Sequence, residues 1–433
     1  MIFIVSGCRG ISKSATETQV LDANSPNSST ITSAPYIEIQ PESAMADETV
    51  KIKVIGLQPE QIITLRASMK DDVDLDWESY ATFVANNEGV VDVTAQVPIS
   101  GTYDTVDPMG LIWSMLPDVP GSEYPYYANW DTSSDMVTIR AECEGQEIAS
   151  AHIKRIRQNS DVRKIQVSES GLVGYFFVPN KGEQNPGLIV LGGSDGSVDV
   201  LKSSLLASHG YATLAIAYFG SSPLPKDLSE IPLEYFETAI AWLKSQEAVD
   251  GEKIGVVGTS RGGELALLLG ATFPEIKAVV GYGASGLVMG GYGRTGANPK
   301  AAWTYKGEPI PFYVSEDNID EAAIPVERIN GPVLLISGKD DQVWPATLLS
   351  DLAVTRLQEH HHPYVYEHLA YEDAGHLIGT PYWPTSGNMA FTHPISGVEF
   401  TVGGTAAGTA YANADSWAHV LMFLETSLRD LNP

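Results

Sequence analysis

The sequence predicts an α/β protein in two parts. An immunoglobulin-like β-sandwich spans residues 36–157, and a mainly parallel sheet covered by helices spans residues 158–433. Three observations carry this reading. Near residue 160 the pattern changes from short alternating strands to apolar strands separated by helices of ten or more residues. Forty glycines and 26 prolines suit a loop-rich β or α/β chain better than a helical bundle. With 43% hydrophobic and 18% charged residues, 433 residues can bury more than one core.

In the first part, β-rich runs fall at residues 36–40, 50–55, 62–67, 80–85, 90–95, 136–142 and 148–153. Turn residues such as Asn86-Asn87-Glu88-Gly89 separate them. Seven short strands over about 120 residues fit a small sandwich. The Cys–Trp–Cys spacing of antibody domains is absent, so the likeness is one of architecture. In the second part a hairpin-like stretch at 164–178 opens a series of strands at 187–191, 211–218, 254–258, 276–281, 333–338 and 364–371. Helices are expected at 200–209, 232–246, 262–272, 345–359 and 414–428. Pro232 stands in the first turn of the second, where a missing N–H costs nothing. Such alternation predicts a parallel sheet buried on both faces. Residues 284–330, rich in Gly, Pro and aromatics, break the rhythm and would form a lid or insertion.

Charge and cysteine content exclude several classes. The net charge is −28 and the pI about 4.5, a surface that repels phosphate backbones and speaks against nucleic-acid binding. No run approaches the roughly 18 apolar residues of a spanning helix. Two cysteines, Cys8 and Cys143, make neither a disulfide framework nor a zinc site. Cys8 follows Ile4-Val5-Ser6-Gly7, which resembles a bacterial lipoprotein cleavage box, and a Ser/Thr-rich stretch follows to residue 35. Residues 1–35 therefore read as a lipoprotein signal, with lipidation at Cys8, and a tether. Only seven residues precede the cysteine, shorter than a secretory signal requires. Localisation stays open between lipid anchoring at the bacterial cell envelope and the cytoplasm.

The chemistry-bearing motif is G-x-S-x-G, a strand-to-helix turn that lifts a serine hydroxyl to a sheet edge. It occurs twice, at Gly192-Gly193-Ser194-Asp195-Gly196 and Gly258-Thr259-Ser260-Arg261-Gly262. Each follows an apolar strand and precedes a helix. Chain order separates them, because an α/β-hydrolase presents serine first, then an acid, then a histidine after the last strand. The strand at 333–337 runs into Gly338-Lys339-Asp340-Asp341, and that at 364–371 into Asp373-Ala374-Gly375-His376. With Ser260 as nucleophile, the loop at 192–196 falls where such folds supply half an oxyanion hole. With Ser194, no earlier glycine loop remains. Ser260 is the expected nucleophile and His376 its base. Asp341 and Asp340 compete to orient the histidine, and the G-x-x-D spacing after Gly338 favours Asp341. Backbone N–H groups of Arg261 and of Gly193 or Ser194 would hold the oxyanion.

Other candidates read as ordinary structure. His360-His361-His362 point in different directions and lack Asp or Cys partners, so no metal is expected. Glu372 and Asp373 read as solvated carboxylates. No cofactor is called for.

Both halves resemble the acyl-CoA thioesterase and bile acid-CoA:amino acid N-acyltransferase family, over about residues 36–430. The resemblance rests on Gly101-Thr102-Tyr103 with Asp107-Pro108-Met109-Gly110-Leu111-Ile112-Trp113-Ser114, and on Leu205-Leu206-Ala207-Ser208-His209-Gly210-Tyr211-Ala212. It extends to Gly375-His376-Leu377-Ile378 with Pro381-Tyr382, Gly403-Gly404 and Ala414-Asp415-Ser416-Trp417. The family joins a β-sandwich to an α/β-hydrolase domain, and its nucleophile, acid and base carry over to Ser260, Asp341 and His376. Conjugating members carry cysteine at the elbow and hydrolytic members serine. The resemblance therefore implies hydrolysis of acyl thioesters, acyl-CoA foremost. Arg261 replaces the usual lysine, and Ser197 stands where a glycine is common. An exported enzyme would not meet coenzyme A, so an envelope esterase or amidase on a non-CoA substrate, or acyl transfer to an amino acid, are the alternatives. The expected partner is a small-molecule acyl thioester or ester.

Overall fold

In a computed structural model, alternation of buried and exposed residues along Ile62–Lys70 and Asp76–Val84 builds a long antiparallel pair, Ile62 opposite Val84 through Lys70 opposite Asp76. The structure describes residues 34–119, 132–180, 184–385, 387 and 389–429. The expected lipidation site Cys8, and the proposed tether up to residue 33, lie outside them. That pair belongs to a sheet ordered Ser43–Met45, Gln146–Ile156, Asp135–Cys143, Ile62–Lys70, Asp76–Val84 and Ser100–Gly101, with Leu116–Pro117 beside Asp76–Val84. A three-stranded sheet of Tyr36–Gln40, Lys51–Ile55 and Val90–Asp92 faces the same core. Ile52 and Val54 from the small sheet meet Leu65, Trp77, Phe83 and Ile139 from the large one.

Two differences from expectation have plain causes. The strand expected at 80–85 begins at Asp76, because Asp76 and Glu78 face outward while Trp77 and Ser79 are buried. Its first half alternates correctly but lacks β-branched residues. Ser43–Met45 is an added strand, paired in parallel with Lys154–Ile156 of the long strand, and too short to be read from periodicity.

The second part centres on an eight-stranded sheet, numbered here by itself: β1 (Val162–Val167), β2 (Val173–Pro179), β3 (Asn185–Leu191), β4 (Ala212–Ala217), β5 (Val249–Thr259), β6 (Ile276–Tyr282), β7 (Val333–Gly338) and β8 (Tyr366–Tyr371). The spatial order is β1-β2-β4-β3-β5-β6-β7-β8. The β1–β2 and β2–β4 pairs are antiparallel, and every later pair is parallel. Five long helices cover it: α1 (Val200–Ser208), α2 (Glu234–Lys244), α3 (Arg261–Thr272), α4 (Ala346–Glu359) and α5 (Ala406–Leu428). Burial on both faces follows the strand period of two. On β3, Leu188 and Val190 belong to the core cluster that takes in residues of α1 and α5, while Ile189 and Leu191 belong to the one that takes in residues of α2, α3 and α4.

Helix α5 starts eight residues before the expected 414. Its small, weakly periodic first turns conceal it in the sequence, but Thr405 caps it by accepting the Gly408 N–H at 2.9 Å. The excursion between β6 and β7 holds two small antiparallel pairings and the fully buried Trp303. The described residues from 35 onward form one compact unit. Its two parts meet at Asp47, whose Oδ2 accepts from Trp417 Nε1–H at 2.8 Å and bonds His209 Nε2 at 2.6 Å. The Asp107–Ser114 segment also lies at this seam, with the Trp113 carbonyl accepting the Thr385 N–H at 2.9 Å. Among the described residues no helix is long and apolar enough to cross a membrane.

Candidate active site

Each candidate side chain sits at the C-terminal edge of a parallel strand, where open α/β sheets concentrate chemistry. Ser260 follows β5 directly and precedes α3, with φ 57° and ψ −120°. A left-handed φ is costly for serine and persists only where the surroundings hold it. Here the Ser260 N–H is clamped by the Tyr282 carbonyl at 2.7 Å. The flanking glycines are required by crowding: a Cβ on Gly258 would lie 1.9 Å from the Gly262 carbonyl oxygen, and one on Gly262 only 2.3 Å from that of Gly192.

His376 follows β8, its backbone held by the Val402 carbonyl at 2.7 Å. Its Nε2 lies 3.0 Å from Ser260 Oγ and its Nδ1 2.7 Å from Asp341 Oδ2. Asp341, beyond β7, is almost wholly buried, and its other oxygen accepts the N–H groups of Val343 and Trp344 at 2.9 and 3.2 Å. A carboxylate so engaged fixes the imidazole with Nδ1 protonated and its Nε2 lone pair toward the serine. Asp340 is turned elsewhere and accepts the Gly404 N–H at 2.8 Å. The structure thus brings Ser260, His376 and Asp341 into one chain and leaves Asp340 outside it.

The Gly192–Gly196 loop lies against this chain; a Cβ on Gly193 would be 3.4 Å from that of Ser260. The buried phenol of Tyr218 donates to the carbonyls of Gly192 (2.7 Å) and Gly193 (3.3 Å). In planar trans peptides N–H opposes C=O, so the N–H groups of Gly193 and Ser194 point away from Tyr218. The Arg261 N–H, in the first turn of α3, has no intrahelical acceptor. The Arg261 side chain lies 3.3 Å from Glu264 and donates to the Met289 carbonyl at 3.1 Å. Glu264 also accepts from Trp303 Nε1 (2.8 Å) and the Met289 N–H (3.2 Å). Complete burial pushes the Glu264 carboxyl above the ordinary carboxylate range, against the opposing pull of Arg261.

A cavity of about 510 Å³ opens over Ser260 and His376. Met289, Tyr292, Phe312, Phe391 and Phe400 contribute to its apolar wall, and Trp344 stands beside His376. Residues 289–314 of the expected lid or insertion supply one wall. The three consecutive histidines lie elsewhere; His362 is buried against the Gly331 carbonyl. Among the described residues no cluster of metal-ligating side chains occurs. Glu372 is exposed and paired with Lys339. Sequence reading overlooked His393, whose Nε2 lies 3.0 Å from Ser194 Oγ inside this cavity. It also overlooked Tyr218 and Glu264. Only Glu264 had a signal, an acidic residue just before the apolar run Leu265–Leu269.

The sheet order, the serine turn after β5 and the histidine after β8 define an α/β hydrolase. Residues 47–169 match the family profile for the acyl-CoA thioester hydrolase/BAAT N-terminal region, and residues 231–430 that for the BAAT/acyl-CoA thioester hydrolase C terminal. The chain belongs to this acyl-CoA thioester hydrolase/BAAT family. It is 32% identical to acyl-coenzyme A amino acid N-acyltransferase 1 of Mus musculus, over 90% of this chain and 96% of that one. Acyl-coenzyme A thioesterase 1 of Mus musculus is 30% identical, over 88% and 94%. Among solved structures, a dienelactone hydrolase-like promiscuous phosphotriesterase from metagenomic libraries covers 61% of this chain and 98% of its own, at 19% identity and a TM-score of 0.41.

Proposed function

We propose that this chain is a serine hydrolase of acyl thioesters, converting acyl-CoA and water to a fatty acid and coenzyme A. The observation that carries the reading is the continuous Asp341–His376–Ser260 chain at 2.7 and 3.0 Å beneath an apolar cavity of about 510 Å³. Ser260 Oγ attacks the thioester carbonyl as His376 Nε2 takes its proton. The carbonyl oxygen becomes an oxyanion held by the N–H groups of Arg261 and of Gly193 or Ser194, each donor worth about 3 kcal/mol. Collapse breaks the C–S bond, the thiolate takes the proton from His376, and the acyl group stays on Ser260. Water, deprotonated by His376, then releases the carboxylic acid and restores the serine. Asp341 orients the ring and stabilises its cationic form throughout. Serine at the elbow supports hydrolysis over transfer, although relatives named for both activities are similar to this chain. The N-terminal two-sheet half, up to about residue 157, is read as an immunoglobulin-like sandwich.

One observation favours a smaller leaving group as a second reading. Among the described cavity residues the cation is Arg261, and its side chain is turned to Glu264 and Met289 rather than outward. With a net charge of −28, the protein offers little to the phosphates of coenzyme A. The test is product analysis by mass spectrometry with an acyl-CoA and a simple acyl thioester in parallel, glycine and taurine being present. Free acid from both supports the proposal. Turnover of the simple thioester alone supports the second reading, and amide as the main product overturns hydrolysis.

A further inference from the structure

The cavity contains two serine–histidine pairs, and their imidazoles have opposite polarity. At His376, Nδ1 faces a carboxylate, so the proton sits on Nδ1 and Nε2 offers a lone pair to Ser260. At His393 the order is reversed. Its Nδ1 faces two donors, the backbone N–H groups of Ile395 and Ser396, each at 3.3 Å. Nδ1 must therefore be the acceptor, and the proton of the neutral ring sits on Nε2, 3.0 Å from Ser194 Oγ. Burial and three aromatic neighbours hold this state. The rings of Tyr292, Phe400 and Phe391 stand 4.9, 6.1 and 6.4 Å from the imidazole. Burial also draws His393 below the usual histidine range, with Asp195 opposing.

An imidazole that donates cannot take a proton from the serine it faces. By occupying a lone pair of Ser194 Oγ, it leaves that hydroxyl's own hydrogen free to be given away. Among the described residues no acceptor for this hydrogen is found, and Ser194 lines the same cavity as Ser260. A Cβ built on Gly193, its neighbour, would lie 3.4 Å from that of Ser260. We propose that the Ser194 side-chain hydroxyl, aimed by His393, donates a hydrogen bond to the acyl carbonyl oxygen of the substrate as that oxygen becomes negative. This donor is additional to the backbone N–H groups, and the hydroxyl keeps its proton. His393 is a positioning residue that acts through Ser194, and the G-x-S-x-G at Gly192–Gly196 is thereby a donor loop rather than a nucleophile. The inference rests on Ser260 being the acylated residue.

The test reads the rate at which a fluorophosphonate labels Ser260, because its phosphoryl oxygen occupies the same donor site whatever the natural substrate. Ser194→Ala is expected to slow labelling, and to lower kcat for a simple thioester, by about tenfold to a hundredfold with little change in KM. Ser194→Thr, which keeps a hydroxyl, restores most of the rate. His393→Phe matches Ser194→Ala, His393→Gln retains a donor and recovers part of the rate, and His393→Phe adds nothing once Ser194 is alanine. Unchanged labelling in Ser194→Ala, label found on Ser194, or a further loss in the double variant would overturn the proposal. Should Ser194→Ala fail to fold, the contrast between His393→Gln and His393→Phe decides, and equal rates there overturn it. Absence of label at Ser260 in the unmodified protein would overturn the hydrolase reading and this one with it, whereas normal labelling of both proteins overturns this one alone.

Discussion

Oδ2 of Asp341 lies 2.7 Å from Nδ1 of His376, whereas Oδ2 of its neighbour Asp340 accepts the Gly404 N–H at 2.8 Å. Two adjacent carboxylates thus carry separate duties, one on a side chain beside the nucleophile and one on the backbone that leads into α5. Asp341→Asn is expected to lower kcat by about 10⁴-fold, because an amide leaves the imidazole in the wrong tautomer. Asp340→Asn retains an oxygen for Gly404 and should stay within a few-fold of the parent. Steady-state kinetics on one thioester decides; equal losses would mean that Asp341 does not orient the base.

Ser260→Ala should remove several orders of magnitude of turnover while the protein remains folded. Ser260→Gly should be equally inactive yet more stable than the alanine variant by about 1–3 kcal/mol, since glycine adopts φ 57° without strain. Urea denaturation of the two variants measures the difference, and equal midpoints would show that the elbow stores no strain.

Gly262→Ala tests the crowding at the same turn. The added methyl carbon would sit 2.3 Å from the Gly192 carbonyl oxygen, so α3 and the donor loop must separate. We expect a stability loss of about 1–3 kcal/mol, and a fall in kcat larger than any rise in KM. A variant with unaltered kinetics would show that the loop spacing does not govern the reaction.

Glu264 gives a pH-dependent prediction. Its folded-state pKa is raised, so its contribution to stability is full below the ordinary glutamate pKa near 4.5 and is lost as pH rises through the raised value. Thermal unfolding of the parent should therefore decline over that window by more than that of Glu264→Gln, which cannot titrate. Near neutral pH, Glu264→Ala should cost about 3–5 kcal/mol, because Arg261 is left buried without its carboxylate. Parallel pH curves for parent and Gln variant would contradict the assignment.

Much of the second half was legible because buried parallel strands are apolar without interruption and helices are periodic. Ser260 and Asp341 stand beyond apolar strands and His376 beyond the more polar edge strand Tyr366–Tyr371, so their order along the chain marks them as candidates, and the fold brings the three side chains together. The expected boundaries failed where side chains carry little pattern, as in the small residues opening α5 and the polar face of Asp76–Val84. His393 was invisible for another reason. It lies outside the main sheet, and its polarity is set by two backbone N–H groups that only the folded loop brings to it. The excursion at 284–330 announced itself by composition, but which of its residues face Ser260 depends on how Trp303 anchors it.

Met289 is gripped from both sides by the same helix: Arg261 takes its carbonyl and Glu264 its N–H. A backbone segment bracketed in this way cannot drift independently of the serine turn that begins α3. If substrate range diversifies in this lineage, change at this wall would disturb the elbow itself, so selection should find its freedom in Phe312–Val314 and in the stretch from Phe391 to Phe400. A laboratory library aimed at new acyl groups would do well to begin there, leaving the Arg261–Glu264 bracket untouched.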